Sequence, residues 1–175
     1  MLTSDFAQIE SGHVWRALLL AMAALFVMGP PAHATCTGIG CSCSVTADPL
    51  DFGTYNPIDS SNVDATGNLS VRCGALIAGV NISYEVTLSA GASGNQTART
   101  MSNGSSTMAY NLYTNSSRTI VWGDGNGGTG TITNGYFLNL IFPRTDDFPI
   151  YGRIPSGQNA EVGTYTDTIT ATVIF

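Results

Sequence analysis

The chain of 175 residues contains no lysine, and both of its histidines, His13 and His33, fall near the amino terminus. Beyond Ala34, then, no Ser-His-Asp catalysis can be built. Schiff-base chemistry is excluded for want of an amine. Charged residues make up only 10% of the chain, and the net charge is −6. An acidic chain without clustered Lys and Arg is a poor partner for a phosphate backbone, so nucleic acid is not an expected ligand. After Met28 no apolar run is long enough to span a bilayer, and stable membrane insertion is not expected. The hydrophobic fraction of 43% nonetheless separates the chain from disordered sequences.

What is present begins with a leader. Ala17 to Met28 is an unbroken apolar run, Gly29-Pro30-Pro31 ends it, and Ala32-His33-Ala34 has the small-x-small form of a cleavage site. Residues 1–34 read as a secretory signal peptide, with Asp5 and Glu10 as atypical companions of Arg16. The mature chain is expected to start at Thr35 and to form a single domain over residues 35–175.

Four cysteines follow: Cys36, Cys41, Cys43 and Cys73. An even count in an exported chain suggests disulfides, and three pairings are possible. Cys43 shares a strand face with Val45, and Cys73 shares one with Leu69 and Val71, which favours Cys43–Cys73 together with Cys36–Cys41. Gly38 and Gly40 permit the tight small loop. Zinc would need all four thiolates at irregular spacing, and cysteine catalysis would need one of them free. No metal, cofactor or enzymatic activity is expected.

The remainder reads as short strands between turns: Leu50 to Tyr55, Asn68 to Cys73, Asn81 to Leu88, Met108 to Tyr113, Thr119 to Trp122, Tyr136 to Phe142 and Phe148 to Ile154. No amphipathic helix stands out, and the pattern argues for an all-β sandwich. Leu140-Ile141-Phe142-Pro143 fits core better than an exposed contact ridge. Asp146-Asp147 reads as a solvated turn. Asp124-Gly125-Asn126-Gly127 resembles the start of a calcium loop, but the required ligands fail at Gly128 and Gly135, leaving a glycine-rich turn.

The run Gly163 to Phe175 carries the clearest strand signal. Tyr165, Ile169, Ala171, Val173 and Phe175 fall on one side of a period-2 pattern, while Thr166, Thr168, Thr170 and Thr172 fall on the other. Two arrangements fit: a last strand paired inside its own sandwich, or one whose next neighbour comes from another molecule.

Cys43-Ser44-Val45, Phe52 to Pro57 and Val71-Arg72-Cys73 resemble the opening of a spore coat protein U domain. Arg99-Thr100-Met101, Ala109 to Thr114 and Val121 to Gly125 resemble its middle; Tyr151 to Gln158 and Gly163 to Thr168 resemble its end. That family includes the subunits of archaic chaperone–usher pili. The resemblance implies an incomplete immunoglobulin-like β-sandwich lacking its final strand, completed first by a periplasmic chaperone and then by another pilin subunit. An outer-membrane usher and a Gram-negative cell surface are implied as well. Ile169, Ala171, Val173 and Phe175 would then line the groove for the chaperone or donor strand. Thr35 to Ser42, short and glycine-rich, departs from what a donor segment requires. The competing reading is an adhesin-type, lectin-like binding module with Trp122, Tyr110 and Tyr113 at its site.

Overall fold

The computed structural model describes residues 35–37, 39–139 and 142–175. The expected signal peptide lies outside the described residues, as do Gly38, Leu140 and Ile141. Among the described residues nine strands form two antiparallel sheets: β1 Thr35–Cys36, β2 Ser42–Ala47, β3 Val63–Gly74, β4 Val80–Leu88, β5 Arg99–Ser102, β6 Thr107–Tyr113, β7 Ile132–Leu138, β8 Arg144–Ile154 and β9 Ala171–Ile174. One sheet has the order β2-β3-β8-β6-β5; in the other, β4 is flanked by β7 on one side and by β1 and β9 on the other.

The alternation in the sequence explains the packing. Ile82, Tyr84, Val86 and Leu88 on β4 point inward, and Leu69, Val71 and Cys73 on β3 meet them from the opposite sheet; all are buried. β3 extends well before Asn68 because β8 pairs with it from Val63↔Ile154 to Cys73↔Arg144. Pro149, which has no N–H to give, lies outside the short stretch of β8 that β6 also pairs.

Three expectations are corrected. Asp146 and Asp147 form no turn, because pairing with β3 holds them extended within β8. Their side chains diverge: Asp146 accepts from Tyr84 Oη at 2.7 Å, and Asp147 accepts from Ser70. Phe142 is not core; it is 70% exposed, since the chain has left β7 at Leu138 before reaching it. Thr119 to Trp122 forms only isolated bridges, Tyr113↔Val121 and Trp122↔Gly130, rather than a ladder.

Two disulfides are present, Cys36–Cys41 and Cys43–Cys73. The second joins residues directly opposite one another on β2 and β3. The first ties β1 to the segment entering β2.

Candidate functional site

The carboxyl-terminal run is anchored first and released later. Its approach is pinned by an isolated bridge between Ser102 and Thr166, with N···O distances of 2.9 Å in both directions. Asp167 follows on the inward face, where the pattern of apolar residues is interrupted, and it is buried. Its carboxylate accepts from Tyr110 Oη at 2.7 Å, from the Ala92 N–H at 2.9 Å and from the Thr168 N–H at 2.8 Å. Burial, reinforced by this carboxylate, pushes the Tyr110 hydroxyl well above the ordinary phenol range.

Beside it lies Arg99, fully buried. Its guanidinium donates to Ser89 O at 2.6 and 3.0 Å, to Trp122 O at 2.8 Å, to Asn111 Oδ1 at 2.7 Å and to Gln96 O at 3.2 Å. Burial lowers the Arg99 pKa, and nearby Tyr110 and Asp167 act against that shift. Ser89 in turn grips Thr170: the Ser89 N–H donates to Thr170 O and the Thr170 N–H to Ser89 Oγ, each at 2.9 Å. A cation hydrogen-bonded to neutral oxygens therefore organises the entrance to β9. Nothing in the spacing of Arg99 announces this role.

β9 then pairs with β4 from Leu88↔Ala171 to Glu85↔Ile174. Among the described residues, no strand pairs its other edge. Among the described residues β2, at the rim of the opposite sheet, pairs with β3 alone, and it runs close beside β9 with no ladder between them. The inward side chains lose cover along the run. Ile169 and Ala171 are buried, Val173 is half-buried against the core, and Phe175 is 36% exposed despite facing the same way.

The segment after β2 crosses its own sheet to reach β8 and β6. Leu50 and Phe52 lie over Gly152 on β8, so close that a Cβ there would meet Leu50 Cδ2 and the Phe52 ring, each at 2.6 Å. Phe52 meets the Tyr110 ring edge-to-face at 6.0 Å. Further along, a cavity of about 330 Å³ remains, lined by Phe52, Tyr55, Met101, Met108, Ile154 and Tyr165.

The aromatic trio suggested for sugar binding is not gathered on a surface. Trp122 is buried and donates from Nε1 to Val86 O at 3.0 Å. Tyr110 is buried on Asp167, and Tyr113 is half-buried. The Asp124 loop is a turn whose carboxylate accepts from the Asn126 N–H at 2.9 Å, with Gly125, Gly127 and Gly128 in left-handed conformation.

A two-sheet antiparallel β-sandwich braced by a hydrogen-bonded polar core defines the class. The spore coat protein U domain model matches residues 33–172, and the chain belongs to that family. Protein U of Myxococcus xanthus is 35% identical over 178 residues, covering 91% of this chain and 96% of that protein. A solved structure is similar at 25% identity with a TM-score of 0.52: the CsuC–CsuE chaperone–tip adhesion subunit pre-assembly complex from archaic chaperone–usher Csu pili of Acinetobacter baumannii. The match covers 77% of this chain and 40% of the solved chain.

Proposed function

We propose that the chain is a secreted structural subunit of a surface assembly, a chaperone–usher pilus or a spore-coat-like layer, that joins its neighbours by donor-strand exchange. The observation that carries this reading is the unpaired edge of β9 beside Val173 and Phe175. A strand added there would satisfy backbone groups and, by parting β9 from β2 beside it, bury its side chains between the two strands. Each large apolar side chain buried this way contributes on the order of 1.5–3 kcal/mol. Left uncovered, such an edge invites aggregation. Export through the periplasm would therefore require a chaperone to occupy it first, before an outer-membrane usher hands it to another subunit. Family membership and the pilus complex among its structural relatives support the reading.

Ile169, Ala171, Val173 and Phe175 form the groove wall in this proposal. Val173→Asp puts a charge where burial without a partner is costly. It is expected to abolish co-purification with the chaperone and surface assembly, whereas Thr172→Ser on the alternate face leaves both intact. Normal assembly of the Val173→Asp protein would instead favour a closed sandwich.

An adhesin-type binding module remains the second reading, on a separate observation. Ile39 and Leu76 are 69% and 74% exposed at the pole where Leu76 N–H donates to Ile39 O. Exposed apolar side chains in adjoining loops are the kind of surface that contacts another body.

A further inference from the structure

Along one edge of β4, two segments lie end to end. β9 finishes with Ile174 opposite Glu85, and β1 begins with Thr35 opposite Ser83, leaving only the Tyr84 position between them. β1 continues with Cys36 opposite Ile82, and the Thr37 N–H donates to Asn81 O at 3.2 Å. The segment upstream of β2 is thus already paired within its own molecule.

It is also shortened. The Cys36–Cys41 disulfide brings the two Cα atoms to 6.3 Å, where five extended residues would reach about 17 Å. The groove wall to be covered in a neighbour of the same fold, Ile169 to Phe175, is roughly 23 Å of extended chain. Thr35 to Cys41, closed on itself and paired to β4, does not reach that length. Its only large apolar side chain, Ile39, stands exposed in the closed loop rather than in an alternating row.

We infer that this chain terminates an assembly: it accepts a strand along β9 and donates none, because its amino-terminal segment is committed to its own β4 and held there by Cys36–Cys41. The inference rests on the donor-strand reading above and on cleavage near Ala34. It places this subunit at the end of a fibre or layer.

The test expresses the full chain as the sole subunit in its own host. Unheated denaturing gels are compared for the native chain and for a variant with an insertion between Ala34 and Thr35. The insert alternates valine and threonine and matches the length of Ile169 to Phe175. The native chain is expected to give no ladder of self-polymers, and the variant is expected to give one, which would show a working groove that lacked only a donor. A ladder from the native chain overturns the inference while leaving strand exchange intact. No ladder from either defeats the donor-strand reading and this inference with it. Intact mass of the exported protein supplies an independent arm: a mature start upstream of Gly29, retaining the apolar run, would also overturn it.

Discussion

Tyr110 and Asp167, 57 positions apart in the chain, meet through a 2.7 Å hydrogen bond from the phenol to the carboxylate, inside the core. That bond holds the approach to β9 against the opposite sheet. Tyr110→Phe removes the donor and keeps the ring, leaving Asp167 to the Ala92 and Thr168 N–H groups. Hydrogen bonds to charged groups contribute about 1.5–3 kcal/mol, and a loss in that range is expected in denaturant unfolding. An unchanged midpoint would show that the bond does not hold the run in place.

The same phenol makes stability fall in alkali. Burial, followed by Asp167, raises the Tyr110 pKa, and burial, followed by Asp146, raises that of Tyr84. In the unfolded chain both would ionise near their ordinary value of about 10. Because the folded pKa values are the higher ones, this contribution is complete below about pH 10 and is lost as pH climbs through the window above it. Unfolding free energies measured across that boundary should decline with pH, and the decline should be shallower in Tyr110→Phe. A flat profile would show that neither phenol is held neutral by the fold.

Cys43–Cys73 closes a loop with a sequence separation of 30. The chain-entropy model assigns such a loop about 3.5 kcal/mol. Replacing both cysteines with alanine should therefore remove a large share of the total stability, on the order of 5–15 kcal/mol for a domain. Calorimetry on the double variant checks this, and a shift equivalent to less than about 1 kcal/mol would contradict the entropic account.

Gly152 admits Leu50 and Phe52 to within reach of the β8 backbone. In Gly152→Ala the new methyl must push both aside, and overpacking of this kind costs roughly 1–3 kcal/mol. Since Phe52 also lines the cavity, probes of that opening should respond with stability. Faster proteolysis between β2 and β3 is the expected signature, and an unchanged cleavage rate would argue against displacement of the segment.

Much of the sandwich was legible because both faces of its strands differ. The alternation in Asn81 to Leu88 matches β4, and the shared faces of Cys43 with Val45 and of Cys73 with Val71 match the β2–β3 pairing. The terminal run was legible as strand, yet only Ala171–Ile174 joins a ladder, because Asp167 turns its inward side chain to Tyr110 instead of to the apolar core. Two features carried no readable signal. β1 has two residues, too few for any period, and its pairing depends on where Cys36–Cys41 leaves it. Arg99 lies in a strand of alternating burial, where a buried guanidinium depends on carbonyls from Ser89, Gln96 and Trp122 that no local pattern brings together.

The end-to-end meeting of β1 and β9 acts as a register stop. Sliding β9 one residue toward β1 would bring Phe175 opposite Ser83, a place Thr35 already holds. Such a slip would also exchange the faces of every side chain on the strand, turning Val173 and Phe175 outward and Thr172 and Ile174 inward. β1, tied to the segment entering β2 by Cys36–Cys41, thus backs up at the far end the register that the Ser102–Thr166 and Ser89–Thr170 hydrogen bonds set at the near end.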